Sequence, residues 1–407
     1  MKNTVCVIGG GASGIMASIA AAQAGAKVIL LEHSDRIGKK ILLTGNGKCN
    51  LTNLHMDISH YRTSGDKSLV ETVLNTFSEK DLMAFMQKQG MRLMINRESY
   101  VYPECEAAAT VVNVLRRALD TLDVSIYTNI KIKDIVHASH KYCIETEDKT
   151  FYADRVVMAC GGKSYPKTGS DGSGYTLLKK LNIPMVRPYP ALTALISDKK
   201  GIKTVSGMRA NAMVTLLINA KAVTSDYGQV QFTDYGISGI PVFQVSTDAS
   251  LALQAGKKVA VRVNLFPDMS EKEVFTAIKN QLTLFEALPV EDALQGFIHK
   301  KWIEYLNNKF KLRHFICAKD ITEDVIGNIV NELVNMEYNI TAVKEYDFCQ
   351  VTGGGAALDQ IDDRMQAKAY PGLYIVGELL DVTGECGGYN LQWAFSTGYI
   401  AGSHAAI

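Results

Sequence analysis

The sequence predicts an α/β fold: a three-layer domain around a parallel sheet, interrupted in mid-chain by an inserted β-barrel and a helical subdomain. Three observations predict it. An apolar strand pattern from Val5 to Ile8 runs into a glycine turn, a helical Ala-rich stretch and a second apolar strand, Val28 to Leu31, closed by Glu32. Three prolines between Pro184 and Pro190 mark an exit from that layout. After Tyr346 the glycine-rich loops and a buried strand pattern, Leu373 to Val376, return. The expected division is residues 1–190, an insert at 191–345 (barrel about 191–268, helices about 269–345) and residues 346–407, which complete the first domain.

The opening unit carries the most chemistry. Gly9, Gly11 and Gly14 have the G-x-G-x-x-G spacing. The first permits a tight turn, the second a close approach of backbone to a pyrophosphate, and the third close packing of helix on strand. Ala12 and Ser13 open the helix, whose positive end suits that pyrophosphate. Glu32 ends the second strand, where a carboxylate accepts hydrogen bonds from ribose hydroxyls. A glycine turn alone would be weak; the flanking strand, helix and acid make the dinucleotide reading.

The following elements are expected in order. Residues 36–60 form a polar loop, 68–90 have helical spacing, 91–102 form a hairpin and 108–122 a helix. Residues 124–158 alternate as strands and end in the buried run Val156 to Ala159. Short strands fill 191–265, helices fill 270–335, and a final helix runs from Gln392 to Ala406.

Three further stretches look ligand-facing. In Thr44-Gly-Asn-Gly-Lys-Cys49-Asn-Leu-Thr-Asn53, Gly45 and Gly47 allow close backbone approach. Thr44, Asn46, Asn50 and neighbouring Lys40 offer polar and charged groups, as a loop along a diphosphate and a flavin edge would. In Val156-Val-Met-Ala-Cys-Gly161-Gly162 a buried strand delivers two glycines beside the first unit. In Leu373-Tyr-Ile-Val-Gly377-Glu378, followed by Gly387-Gly388-Tyr389-Asn390-Leu391, a strand ends at an acid and a glycine turn enters the last helix. The N-terminus of that helix would face the pyrimidine side of a flavin, which favours FAD over NAD as the tightly held dinucleotide.

Together these stretches resemble the BaiN/RdsA-like family of FAD-dependent oxidoreductases, within the glutathione-reductase-like flavoproteins. The resemblance spans essentially the whole chain, including Phe232-Thr-Asp-Tyr-Gly-Ile-Ser-Gly-Ile-Pro241 and Val351-Thr-Gly-Gly-Gly355. Its most specific part is the pairing of Lys48-Cys-Asn-Leu-Thr-Asn53 with Gly387-Gly-Tyr-Asn-Leu-Gln392; Asn46 and Lys48 depart modestly from the family's glycine run. The resemblance implies a Rossmann-like FAD-binding domain holding FAD non-covalently. It also implies reduction of an activated carbon–carbon double bond, either in a small steroid or bile-acid enone or in uridine of ribosomal RNA. NAD(P)H would act as a transient electron donor, since no second glycine–helix–acid unit is present for a nicotinamide domain. A non-catalytic flavin-binding redox sensor is a third reading.

The product needs a proton, and Cys386, Glu385, Tyr165 and Cys49 are the candidates within these motifs. His33 and His55 receive no role. Residues 299–319 are basic with interleaved aromatics; they suit either RNA contacts, with Trp302 or Tyr305 stacking a base, or an amphipathic helix with a core face. A net charge of +1 gives no global field for nucleic acid. Eight cysteines without a C-x-x-C pair suit a reducing cytoplasm and no metal site. No signal peptide and no run of about 20 apolar residues is seen. The oligomeric state is left open.

Overall fold

A computed structural model describes residues 2–96, 99–138 and 141–407; parts of the expected hairpin (97–98) and strand region (139–140) lie outside the described residues. The chain divides into two compact units, Met1–Pro190 with Cys349–Ile407, and Ala191–Phe348.

The first unit is built on a five-stranded parallel sheet. Strand β1 (Thr4–Ile8) lies between Arg155–Met158 and β2 (Lys27–Leu31); Leu373–Ile375 and Ser125–Tyr127 form the edges. Val5 pairs with Arg155 on one side and Val28 on the other. Past their first residues the central strands are apolar because both faces are covered: Val5, Cys6, Val7, Val156, Val157 and Met158 are fully buried. The strand Leu373–Ile375 arrives from the far end of the chain and aligns with Arg155–Met158, so the last residues finish the first sheet.

Helix α1 (Ala12–Gln23) is rich in alanine and carries no charge, and it is buried from Ala12 to Ala21. It packs against the C-terminal helix (Tyr389–Ala405) at backbone distance. A Cβ on Gly398 would collide with the Ser13 carbonyl oxygen, and one on Gly402 with that of Ala17. Because 398 meets 13 and 402 meets 17, the helices run parallel. The C-terminal helix starts eight residues further ahead of the crossing, so its N-terminus leads that of α1 by about 12 Å at 1.5 Å per residue.

The spacing at 68–90 resolves into two helices, Ser68–Thr76 and Glu79–Lys88. Ser78 starts the second as one half of a capping box with Asp81, which interrupts an otherwise continuous apolar pattern. The C-terminal helix starts at Tyr389, earlier than the expected Gln392, because Gly388 at φ +98° caps it.

The second unit is a closed six-stranded barrel in the order Leu195–Ser197, Gly236–Gly239, Lys221–Phe232, Arg209–Ile218, Val259–Asn264 and Met336–Val343. Two expectations change here. Ile240–Gln254, read as strand territory, is a helix; Gly239 at φ +109° and Pro241 start it. Its low polarity on most faces hides the helical period. Met336–Val343, read as helical, alternates buried Met336, Tyr338 and Ile340 with exposed Glu337, Asn339 and Thr341, and closes the barrel onto Leu195–Ser197. Between these strands lie helices Glu271–Leu284, Val290–Leu294, Lys300–Phe310 and Glu323–Val334. Among the described residues no helix is long and apolar enough to cross a membrane.

The parallel helix contact sets a test. Gly402→Val should destabilise the chain by about 1–3 kcal/mol through overpacking, read by urea denaturation; an unchanged midpoint would show that the two helices separate freely.

Candidate functional site

The carboxyl end of the parallel sheet opens onto the loop at 9–11. Gly9 sits at φ +106°, where a side chain would also strike the Ala159 carbonyl. A Cβ on Gly14 would meet the Gly9 carbonyl oxygen, so the helix lies directly on the turn. Gly11 differs: nothing lies within 4 Å of a Cβ placed there. The first turn of α1, Ala12, Ser13 and Gly14, is buried but has no side-chain cap and no acidic residue. First-turn amides have no partner within the helix, so a buried, uncapped positive end facing open space suits a bound anion.

Glu32 is 7% exposed. One carboxylate oxygen accepts from Gly10 N and the other from Ser34 N, both at 2.6 Å. This draws the end of β2 against the glycine turn. Gly161 (φ +71°), Gly169 and Ser170 close the same corner: a Cβ on Gly169 would lie 3.2 Å from Glu32 Oε1, and one on Gly161 3.1 Å from Ser170 Oγ.

A second polar knot joins three separate stretches. Lys40 Nζ lies 2.6 Å from Glu378 Oε2. Glu378 Oε1 accepts from Thr352 N at 2.7 Å and Ser164 Oγ at 2.8 Å. Gly162 packs against Thr352, and Lys163 N and Ser164 N donate to the threonine hydroxyl. Burial pushes the Glu378 carboxyl up, but the Lys40 charge and hydrogen bonds from Lys40, Thr352 and Ser164 outweigh it and hold it below its usual range. Beside it, Gly377 at φ +68° is tied to the C-terminal helix: its N donates to Thr397 Oγ1 and its carbonyl accepts from Trp393 Nε1.

The two stretches singled out as a pair in the sequence meet in space. Asn53 Nδ2 donates to the Gly387 carbonyl at 3.1 Å, and Thr52 Oγ1 to Gln392 Oε1 at 2.7 Å. The Asn50 amide is placed to accept from Gly388 N at 3.2 Å. Gly388 fits against the Thr52 backbone, where a Cβ would lie 2.5 Å from the Thr52 carbonyl carbon. Asn390 clamps the preceding turn, accepting from Gly384 N and donating to the carbonyls of Gly384 and Glu385. Tyr389 and Gln392 are buried, Leu391 is half-buried, and the helix N-terminus has no side-chain cap or acid. In the loop before them, Thr44 is half-buried, Gly45, Asn46 and Gly47 are exposed at positive φ, and Lys48 pairs with Glu106.

The unit thus presents two uncapped helix N-termini facing the same way and offset by about 12 Å along the helix direction. Two buried hydroxyls along this rim, Ser170 Oγ and Thr383 Oγ1, have no hydrogen-bond partner among the described residues. An elongated dinucleotide fits these features: an anion at Gly11, a ribose acceptor at Glu32, and a ring with an acceptor edge at Gly388–Asn390. Among the described residues no cluster of His, Cys, Asp or Glu suits a metal ion.

The proposed proton donors are placed differently. Cys49 is fully buried and desolvation lifts its thiol to about 12, which removes it from solvent and from reach of a docking substrate. Tyr165 is half-buried at φ +53°, and burial raises its phenol. Cys386 is half-buried. The Glu385 carboxylate is held by His60 at 2.8 Å and Arg62 at 3.3 Å. Sequence reasoning passed over His60 and Arg62, which belong to no motif; their partner is 325 residues away from His60.

Of the two readings of the segment 299–319, the structure bears out the amphipathic helix with a core face. Trp302 and Tyr305, offered as base-stacking residues of the basic segment 299–319, are 3% and 4% exposed and pack in the core of the second unit. They face inward because the helix Lys300–Phe310 is amphipathic. Lys309 and Arg313 in this segment are paired with Glu332 and Glu291.

The model of the HI0933-like protein Rossmann domain family matches residues 3–404. The chain belongs to this family of Rossmann-fold flavoprotein oxidoreductases. It is 37% identical over 407 residues to the 3-dehydro-bile acid delta(4,6)-reductase of Clostridium scindens, covering 99% of both chains. It is 26% identical to the ribosomal RNA dihydrouridine synthase of Haemophilus influenzae, covering 97% of this chain and 96% of that one. Among solved structures, the 3-ketosteroid delta1-dehydrogenase of Sterolibacterium denitrificans shares the fold: the TM-score is 0.51 at 13% identity, with 99% of both chains covered.

The Lys40–Glu378 pair yields a pH test. A carboxyl held below its ordinary value of 4.5 adds stability above that pH and loses it as the pH falls through the lower folded value. Lys40→Met should therefore cost about 2–4 kcal/mol at pH 7. The gap to the parent protein should narrow as the pH falls below 4.5, measured by urea unfolding across pH.

Proposed function

We propose that this chain is an FAD-dependent reductase of an activated carbon–carbon double bond, in a small enone of steroid or bile-acid type, with NAD(P)H as transient donor. The observation that carries the substrate class is the 37% identity, over 99% of both chains, to a protein named for reduction of a 3-dehydro-bile acid. The glycine turn and the two uncapped helix N-termini support the dinucleotide part of this reading.

In this reading the residues divide the cofactor among them. Gly9, Gly11, Ala12, Ser13 and Gly14 hold the pyrophosphate, and Glu32 the adenosine ribose, with Gly161 and Gly162 at the adenine side. Lys40, Thr44, Gly45, Asn46, Gly47 and Asn50 line the diphosphate and flavin edge, while Cys49, fully buried beneath that loop, packs it and does not touch the cofactor; Gly377 and Glu378 stand at the ribityl chain. Gly387, Gly388, Tyr389, Asn390 and Leu391 present the C-terminal helix dipole to the pyrimidine ring, which favours the negative charge of a reduced ring. Bound FAD supplies the hydride equivalent; the chain's own groups bind, orient and supply the proton. The sequence offers one glycine–helix–acid unit of this kind, so in this reading the nicotinamide donor would dock and leave.

Ribosomal RNA is the weaker alternative, because the aromatics of the basic segment are core residues and two of its cations are already paired.

The test is an anaerobic titration of purified, FAD-loaded protein. NADH or NADPH should bleach the flavin, and a 3-keto-4-ene steroid should restore its colour. Reoxidation by uridine-containing ribosomal RNA and not by steroid would transfer the function to the second reading. A flavin that no donor reduces would favour a sensor.

A further inference from the structure

The segment 57–62 and the turn before the C-terminal helix form a device that the cofactor cradle does not use. Ile58–His60 is a single turn capped by Asp57, and it runs directly into Tyr61–Arg62. That short strand pairs antiparallel with Thr383–Gly384, which brings Glu385 N to the His60 carbonyl at 3.0 Å. The side chains then meet: Glu385 Oε2 lies 2.8 Å from His60 Nδ1 and Oε1 3.3 Å from Arg62 Nη1. The His60 ring stacks on Tyr389, the first residue of the C-terminal helix, with centroids 4.5 Å apart and planes at 24°. Tyr389 is itself pinned: its hydroxyl donates to the His55 carbonyl, and its carbonyl accepts from Tyr61 Oη.

The imidazole is therefore fixed on one face and at Nδ1. Its other nitrogen, Nε2, has no partner among the described residues, and the side chain is 32% exposed. A carboxylate on Nδ1–H fixes the tautomer and leaves Nε2 to exchange a proton. Glu385, with one oxygen on His60 and the other on Arg62, is better placed to orient that ring than to give up a proton itself. The charged and titratable groups facing His60 are Glu385, Arg62, Asp57 and Tyr389, with Lys67 nearby through its bond to the Ile58 carbonyl.

We propose that His60, through Nε2–H, is the proton donor of the reduction and that Glu385 is its positioning residue, a refinement that rests on the enone-reductase reading above. The balance is simple. A hydride equivalent from the reduced flavin forms a C–H bond at the β-carbon, and the electron pair of the double bond moves to the α-carbon. The Nε2–H bond breaks as the α-carbon takes that proton, and the neutral imidazole regains one from solvent.

The experiment uses the FAD-loaded full chain and the variants His60→Gln and Glu385→Gln, each reduced with dithionite so that donor docking plays no part. Reoxidation is then followed with a 3-keto-4-ene steroid and, separately, with ferricyanide, which needs no proton donor. His60→Gln should retain FAD and react normally with ferricyanide, while the steroid step slows by about 10²–10³-fold and loses its pH dependence. Glu385→Gln should react normally with ferricyanide and slow the steroid step less than His60→Gln does, because the ring keeps its acid but loses the carboxylate that orients it. Nitrogen-15 NMR of the His60 ring should show a changed tautomer balance in Glu385→Gln. Equal slowing with both acceptors would make His60 a structural clamp and overturn the proposal, as would a wild-type steroid rate and pH profile in His60→Gln. If the parent protein reduces no enone, the functional reading falls and this proposal falls with it.

Discussion

Everything at the site depends on two helices lying parallel at backbone contact. Gly398 and Gly402 admit Ser13 and Ala17 of α1 to a distance that no side chain would allow. The two positive helix ends are thereby locked in one direction, with a fixed offset. Neither is capped by a side chain and neither has an acid in its first turn. Leaving two buried helix ends uncapped costs stability unless a ligand satisfies them. In the proposed reading an elongated anionic dinucleotide would do so at both ends at once.

The polar interactions around this frame join parts of the chain that are distant in sequence. Glu32 holds the glycine turn, Glu378 gathers Lys40, Ser164 and Thr352, Thr52 and Asn53 bind the last helix and its leading turn to the early loop, and Asn390 clamps that turn. Each bond is modest alone. Together they rigidify the rim, so that glycines at 9, 377, 387 and 388 can hold conformations that other residues would strain.

The parts of this arrangement legible in the sequence are those set by local spacing. Gly9, Gly11, Gly14 and Glu32 lie in one strand–helix–strand unit, and the late strand Leu373–Ile375 announces itself as an apolar run. The helix Ile240–Gln254 was not legible, because burial on most sides erases its period. Met336–Val343 was hidden by the helix Glu323–Val334 that leads into it. The His60–Glu385 pair is set by a strand of two residues, too short for any pattern, joining positions 325 apart.

The most direct test is a calorimetric titration of FAD into flavin-stripped protein, side by side with Gly11→Val. Position 11 has an ordinary φ of −82° and open space around it, so the variant should fold with an unchanged melting temperature. The account predicts tight binding by the parent chain and a loss of at least 100-fold in the variant, roughly 3 kcal/mol, because the valine occupies the place of the pyrophosphate. Equal affinity in the two proteins, or no binding by either, would contradict it.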